Sequence, residues 1–467
     1  MEKSKLLQVL RRLEKREISA LRKFLHSPFF NTREDVRRLY EFLLPSLHKP
    51  QHLVKEKVFH TLFPDRPYSD RDFHLLVSYL FKLVEKYLAT REFLQDELEV
   101  KTQLMKSYRQ RHLPGHFQYT VGQLRRALHA SEVEDSQYYE RQRDIYWEEY
   151  QMKVATDPSR KLNLEELTRT TEIAFFAQKM RQICLLTAQR SVYTIEDPLT
   201  AQLPFFDYLE AQELTQIPTI GIYFHGYYLL RGEGEATHFP RFKILLFDHS
   251  QQFSLTETRE LYLLAVNFCV RQVNEGNRGY FREMFELYQR GLELEVLLEN
   301  GQLSRFTYHN AVASAIQIQS FDWARQMIVE YRDKLEAPHR ESAYRFNLAR
   351  LEYEQANYTA ALHLVAGIHF PDLLVNLASK TITLKIYYQL AEFDLLEAHL
   401  NAMNNFIRRK RVLGYHKDNY LNIIRYTKKI MALKPYDKAA IQNLVAEIEA
   451  EEKLTEKRWL LQQLAAD

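Results

Sequence analysis

Residues 352–365, EYEQANYTAALHLV, decide how the second half of the chain is interpreted. Two small residues, Ala356 and Ala361, flank the aromatic residue Tyr358. Two helices joined by a short turn can cross closely only where a small side chain leaves room. Ala361 provides that room and Tyr358 fills the turn. The stretch therefore predicts the turn of a two-helix hairpin.

The same pattern recurs along the second half of the sequence. An aromatic residue precedes the expected helix crossing by three residues, and an apolar residue follows the crossing by four. Such hairpins cannot bury their apolar sides alone, so neighbouring hairpins are expected to stack. The copies are Phe281-Met284-Tyr288, Phe321-Ala324-Ile328, Tyr358-Ala361-Val365 and Phe393-Leu396-Leu400, with a weaker one at Phe239-Phe242-Leu246.

These hairpins resemble the tetratricopeptide repeat. Residues 342–371 match it best, because Leu348 and Ala349 stand at the Leu-Gly positions and Pro371 lies near the closing proline. Arg345 departs from the pattern at the usual Trp position. The resemblance covers roughly residues 230–435 and implies a right-handed α-solenoid. Unrelated bundle helices that are rich in Ala and Tyr are the alternative.

The composition favours an all-α class. The chain has only 12 Gly and 14 Pro among 467 residues, so little of it can lie in tight turns or β-hairpins. An apolar fraction of 46% excludes a wholly disordered chain. We expect four regions: a basic N-terminal helical domain at 1–98, a helical hairpin region at 99–156, the tetratricopeptide-like α-solenoid at 157–435 and a C-terminal capping helix at 436–467.

The first helices of the hairpins are expected to line a concave groove. Tetratricopeptide-like arrays bind peptides or helices there, so the resemblance implies a non-enzymatic scaffold or adaptor with a protein or peptide partner. The partner-binding residues predicted from their place on first helices are Asn310, Asn347, Arg350 and Lys385.

A basic segment supports an alternative function. Residues 406–429 interleave Lys and Arg with Tyr415, Tyr420 and Tyr426. Cations neutralise phosphates and aromatic rings stack on bases, so a nucleic-acid-binding or regulatory factor using basic faces at 1–60 and 401–434 is the second hypothesis. Tyrosines at helical spacing are also typical of a core. The basic patch comprises Arg408, Arg409, Lys410, Arg411, Lys417, Arg425, Lys428 and Lys429.

No catalytic, cofactor or metal motif is expected from the sequence. RGEGEA, residues 231–236, lacks the third glycine and the preceding strand of a phosphate-binding loop. Two Glu-x-x-His pairs, Glu235 to His238 and Glu336 to His339, follow a Gly-rich turn or contain a proline, so a metal site is disfavoured.

The cellular compartment is predicted from cysteines and hydropathy. Cys184 and Cys269 are the only cysteines and lie far apart, which favours a reducing compartment. No window offers the ~20 apolar residues that span a bilayer. We therefore expect a cytoplasmic protein without membrane insertion.

Overall fold

The computed structural model describes residues 4–47, 53–156, 161–193, 203–233, 235–366, 373–409, 416–434 and 437–465. Helices dominate this part of the chain, which confirms the all-α class. The chain divides into two compact units, Met1–Ala174 and Phe175–Asp467. The helices up to the division are α1 (Lys5–Leu10), α2 (Lys15–His26), α3 (Glu34–Leu43), α4 (Lys55–Leu62), α5 (Asp70–Gln95), α6 (Glu97–Gln110), α7 (Pro114–Ala130), α8 (Ser136–Thr156) and α9 (Leu164–Tyr193), within which the division falls.

The second unit continues with fourteen helices and one small hairpin among its described residues. The helices are α10 (Leu203–Ala211), α11 (Pro218–Arg231), α12 (Glu235–His249), α13 (Leu255–Asn274), α14 (Tyr280–Glu293), α15 (Arg305–Gln317), α16 (Phe321–Glu330), α17 (Ala337–Glu354), α18 (Tyr358–Val365), α19 (Leu373–Gln389), α20 (Phe393–Arg409), α21 (His416–Met431), α22 (Lys438–Ala450) and α23 (Lys457–Ala465). The strands β1 (Leu298–Glu299) and β2 (Gln302–Leu303) pair antiparallel.

The first unit contains two apolar cores. Helices α1 to α5 share one core, in which Leu7, Leu25 and Leu80 are fully buried. Helices α6, α7 and α8 share another, built around Met105 and Phe117. The amphipathic stripes of these helices account for both cores, because each helix directs one apolar face inward.

Consecutive helices of the second unit pack as pairs. The pairs are α11 with α12, α13 with α14, α15 with α16, α17 with α18, and α19 with α20. Each second helix also packs on the first helix of the next pair, and first helices pack on one another from α15 to α17 to α19. Every pair therefore covers part of its neighbour. The right-handed α-solenoid and the tetratricopeptide resemblance remain predictions.

The turns between paired helices repeat one hydrogen-bond pattern. Ala356 has a φ of 60°, and the backbone N–H of Asn357 donates to the Glu352 carbonyl over 2.8 Å. At the α15–α16 turn Gln319 has a φ of 63°, and the Ser320 N–H donates to the Ala315 carbonyl over 2.8 Å. This is the Schellman ending of a helix, which satisfies the last carbonyls and reverses the chain.

The crossing residues of the recurring pattern are buried in all four hairpins, whereas the turn aromatics differ in exposure. Met284, Ala324, Ala361 and Leu396 at the expected crossings are all at most 3% exposed. The aromatic ring at the turn contacts a tyrosine of the first helix in two hairpins. The ring centroids are 5.5 Å apart for Tyr353 and Tyr358 and 6.1 Å apart for Tyr388 and Phe393.

A further hairpin with this turn lies in the first unit, between α6 and α7. His112 has a φ of 54°, and the Leu113 N–H donates to the Tyr108 carbonyl over 3.0 Å. Pro114 stands at the position of the turn aromatic, and Phe117 at the crossing position is fully buried. The predicted helical hairpin region at 99–156 includes this hairpin, although it lacks the aromatic and small residues of the recurring pattern.

The β1–β2 hairpin was not predicted. Asn300 and Gly301 have φ values of 52° and 75°, as the two central residues of a type I′ turn require. The dipeptide Asn-Gly between LE and QL was the available signal. The low glycine content of the whole chain obscured it.

The predicted C-terminal capping helix at 436–467 is wrong as a single helix. The described residues form α22 and α23, separated by residues 451–456. Glu451 is extended, with φ −75° and ψ 110°, and Glu456 has a φ of 56°. Acidic residues crowd the end of α22, where the helix dipole disfavours negative charge. These acidic residues are Glu447, Glu449, Glu451 and Glu452.

Candidate partner-binding face

One side of α17 and α19 carries a group of large polar and aromatic residues. Arg350 and Tyr353 lie one turn apart on α17, and Lys385 lies one turn before Tyr388 and Gln389 on α19. Residues three or four apart share a helix face, and these two helices pack side by side. We call these five residues the α17/α19 face.

The chain's own helix α23 lies against this face. Lys385 Nζ donates to Glu456 Oε2 over 3.0 Å at the start of α23. Farther along both helices, the rings of Tyr388 and Trp459 have centroids 5.4 Å apart, with planes at 80°. The contacts therefore advance in the same direction along α19 and α23.

A third contact completes this alignment. Gln389 Nε2 donates to Gln463 Oε1 over 3.0 Å. Glu456, Trp459 and Gln463 are three and four residues apart, which is the spacing of one helix face. Helix α23 therefore contacts the α17/α19 face through a carboxylate, an aromatic ring and an amide.

The seated helix is anchored by apolar burial. Trp459 is 6% exposed, Leu460 is fully buried and Leu464 is 6% exposed. They belong to the core cluster that includes Leu384 of α19 and Ile423 of α21. Burial of such side chains stabilises the docked helix by about 1.5–3 kcal/mol each, before the ordering cost.

Lys385 sits in a largely desolvated setting. Its side chain is 10% exposed, and its ammonium lies 4.5 Å from the Tyr353 ring centroid. The aromatic face and the Glu456 carboxylate both stabilise the charge. Lys385 was predicted to bind a partner, and in this structure its partner is Glu456.

Arg350 is the cation of the face that has no carboxylate partner. Its side chain is partly exposed and lies 5.7 Å from the Phe346 ring centroid. It forms neither a hydrogen bond nor an ion pair with any residue that the structure describes. Burial lowers the pKa of Arg350, with Glu456 and Glu354 opposing that effect.

The predicted contacts Asn310 and Asn347 both hydrogen-bond within the chain. Asn347 is fully buried, and its Nδ2 donates to the Ala343 carbonyl over 2.9 Å and to His309 Nδ1 over 2.8 Å. Asn310 hydrogen-bonds with the buried Tyr288 of α14. Both amides therefore form hydrogen bonds with neighbouring helices, because packed first helices bury much of their own polar surface. Asn347 has no surface to offer a partner in this conformation.

The basic patch is partly neutralised by α22 and its end. Arg425 donates to Glu451 over 2.7 Å, and Lys429 pairs with Glu447. Lys428 donates to Asn401 over 2.7 Å. Arg408 and Arg409 are exposed and Lys417 is partly exposed, whereas Lys410 and Arg411 lie outside the described residues.

The tyrosines of this segment do not form an exposed stacking surface. Tyr426 is 3% exposed within the core, and Tyr420 packs against the same core. Tyr415 lies outside the described residues. Hydrophobic packing therefore accounts for the helical spacing of the two described tyrosines.

The basic face at 1–60 is also interleaved with acids. Arg22 donates to Glu41 and Arg33 to Asp35, over 2.7 and 2.6 Å. Phe29, 85% exposed, is the most exposed of the large apolar side chains in the described part of the chain. The exposed ion pairs Arg22–Glu41 and Arg33–Asp35 contribute little to stability, but they reduce the local positive charge.

The buried cysteine of α9 borders an ion-paired cluster. Tyr223 donates its hydroxyl hydrogen to the Glu257 carboxylate, and an Arg181 nitrogen lies 3.4 Å from that carboxylate. Cys184 Sγ donates to the Tyr223 carbonyl over 3.1 Å, and burial raises the pKa of this thiol. A thiol with a raised pKa is a poor nucleophile, so the cluster stabilises packing.

The two Glu-x-x-His pairs lie at helix starts. His238 lies in the first turn of α12, with its Nδ1 2.8 Å from His225 Nδ1. Glu336 precedes α17, and His339 contacts Arg305. Within the described residues, no three His, Cys, Asp or Glu side chains form a group that could hold a metal ion.

None of the helices that the structure describes is both long enough and apolar enough to cross a membrane. No family model, curated protein or solved structure matches the chain.

Sequence reasoning placed Arg350 and Lys385 on first helices but did not predict the helix whose start contacts Lys385. Glu456, Trp459 and Gln463 were placed on a single capping helix with no assigned contact. Trp459 was the available signal, since the chain has three Trp and this one stands in a charged C-terminal segment. A buried aromatic there required a receiving surface.

Proposed function

We propose that the chain is a non-enzymatic scaffold that binds a helical segment of a protein partner across the first helices of a tetratricopeptide-like, right-handed α-solenoid. The observation that supports this most is the seating of α23 on the α17/α19 face through the Lys385–Glu456 ion pair. A surface that binds one amphipathic helix in cis has the chemistry to bind another in trans. The proposal includes a cytoplasmic location.

The partner is expected to be acidic on its contacting side. Lys385 already meets a carboxylate, and the Arg350 guanidinium is partly exposed without one. Arginine binds carboxylates with two parallel N–H donors, and such a contact is strongest in a partly desolvated setting. Tyr353 and Tyr388 add aromatic surface to the face. Tyrosine is among the residue types that contribute most to the binding energy of protein interfaces.

Affinity capture with matched charge reversals tests the proposal. Arg350→Glu reverses a charge on the face and keeps both Lys385 and Glu456 in the sequence. Arg282→Glu makes the same change at an exposed position of the second helix α14. We expect a reproducible protein partner with wild type and with Arg282→Glu, and its loss with Arg350→Glu, both in capture and with purified components. A partner set that is identical for both variants would count against the face.

A further inference from the structure

The segment that joins α22 to α23 is held in an unfavourable backbone conformation. Glu456 has a φ of 56°, a left-handed value that residues with a side chain adopt rarely. Its carboxylate is the one that accepts from Lys385. The backbone strain is therefore sustained by contact with the α17/α19 face, as strained residues persist only when their surroundings hold them.

The ion pairs that attach this segment to α21 are largely exposed. Lys453 pairs with Asp418 over 3.1 Å, and both side chains are more than half exposed. Arg425, which pairs with Glu451, is about half exposed. Exposed pairs of this kind contribute little, because water and salt screen them. Release of residues 451–456 from α21 must also break the hydrogen bond from Asn422 Nδ2 to the Lys453 carbonyl, 2.9 Å long, and the packing of Leu454 on the core.

Helix α23 depends on tertiary packing for its helical state, against α21 and α22 as well as the α17/α19 face. It has nine residues, and isolated helices shorter than about 12–15 residues are marginal in water. Its buried side chains, Trp459, Leu460 and Leu464, supply the stabilisation that its length does not. Docking and folding of α23 are therefore coupled, and such coupled elements are drawn from the low-stability end of a structure.

We infer that α23 is a removable intramolecular ligand that competes with the partner for the α17/α19 face, and that the partner helix carries a carboxylate three residues before an aromatic residue. This inference rests on the proposed function. Docked α23 occupies the face. The apparent affinity for the partner therefore equals the intrinsic affinity multiplied by the fraction of chains whose face is open. Access to the face is thus regulated by the equilibrium between docked and released α23.

A labelled synthetic peptide of residues 451–465 tests the competition by fluorescence anisotropy against the full chain. Glu456→Ala combined with Trp459→Ala weakens cis docking and retains Leu460 and Leu464. We expect this variant to bind the unaltered peptide at least tenfold more tightly than wild type does. The matched control is Arg458→Ala with Gln462→Ala, at exposed positions of the same helix, and it should bind the peptide as wild type does.

The folded state of each variant is checked by circular dichroism and thermal unfolding. A folded variant that binds the peptide no more tightly than wild type would overturn the inference. If the double substitution unfolds the chain, hydrogen exchange of wild type decides. Amides of 457–465 should exchange faster than those of α19, and faster still with excess unlabelled peptide. Protection of α23 equal to that of α19 would overturn the inference.

The result is separable from the capture experiment. Tight peptide binding by the variant without any Arg350-dependent partner would refute the proposed function and leave α23 as a self-ligand. An Arg350-dependent partner whose affinity does not respond to the release of α23 would refute only the regulation.

Discussion

Ala356 and Ala391 adopt the same left-handed backbone conformation at the same point of two successive hairpins. Their φ values are 60° and 55°. In each turn the following residue donates its N–H to a carbonyl of the first helix, over 2.8 Å from Asn357 and 3.0 Å from Glu392. The turns are therefore equivalent in geometry although neither contains glycine, the residue best suited to this conformation.

Replacement of Ala356 by glycine is expected to stabilise the chain. Glycine adopts a positive φ without the steric cost of a Cβ atom, so the free energy of unfolding should rise by about 1 kcal/mol. Urea denaturation measures the change. Ala360→Gly, at an exposed position inside α18, should instead destabilise by about 1 kcal/mol. A loss of stability in both variants would contradict the assigned turn.

Enlargement of Ala361 is expected to separate the crossing helices. The side chain is fully buried where α18 packs on α17, so Ala361→Leu should destabilise the chain by about 1–3 kcal/mol through overpacking. The adjacent Ala360 is exposed, and Ala360→Leu should change stability by less than about 0.5 kcal/mol. Equal effects at the two positions would show that the crossing is not tight.

His225 is expected to make stability depend on acid pH. The side chain is 5% exposed in α11, and burial, with a smaller effect of His238, lowers its pKa from 6.5 to about 4. Between these values the unfolded chain binds the proton and the folded chain does not, so the free energy of unfolding falls as pH decreases. The full loss corresponds to about 3 kcal/mol.

His225→Gln removes this titration and should flatten the pH dependence. Urea denaturation between pH 6.5 and 4.5 gives the slope, which is compared rather than the absolute stability because the substituted site is buried. His363→Gln replaces an exposed histidine of the same unit and should keep the wild-type slope. An unchanged slope in His225→Gln would refute the assignment.

Acidic residues of α22 and its end are expected to mask the basic patch. Glu447→Gln with Glu451→Gln frees Lys429 and Arg425 from their ion pairs. Single-stranded RNA should then bind about tenfold more tightly than to wild type, and the salt dependence should steepen by about 1.4 in the log–log slope for two added phosphate contacts. Fluorescence anisotropy at several salt concentrations measures both quantities.

The matched control neutralises two other glutamates of the same region. Glu449→Gln with Glu452→Gln changes the net charge equally, and the carboxylates of Glu449 and Glu452 do not ion-pair with any described residue. Strong, salt-sensitive RNA binding by wild type and by both variants would favour the nucleic-acid hypothesis through the exposed Arg408 and Arg409.

The local part of the fold could be predicted from sequence. Tyr358 and Ala361 identified a hairpin because turn and crossing geometry depend on residues close in the chain. The α6–α7 hairpin lies in the predicted hairpin region at 99–156, but its likeness to the later turns was not predicted because Pro114 and Phe117 replace the expected residue types. The break after α22 escaped because residues 449–456, EAEEKLTE, contain neither the glycine nor the proline that usually marks a helix end.

The sequence by itself determined that the chain forms helices and which side chains lie at the crossings of paired helices. These properties follow from helical periodicity and turn geometry, which act over a few residues. Only the tertiary structure decided that α23 covers the α17/α19 face. Lys385 and Glu456 are 71 residues apart, and their contact depends on the reversal of the chain at 451–456 and on the burial of Trp459.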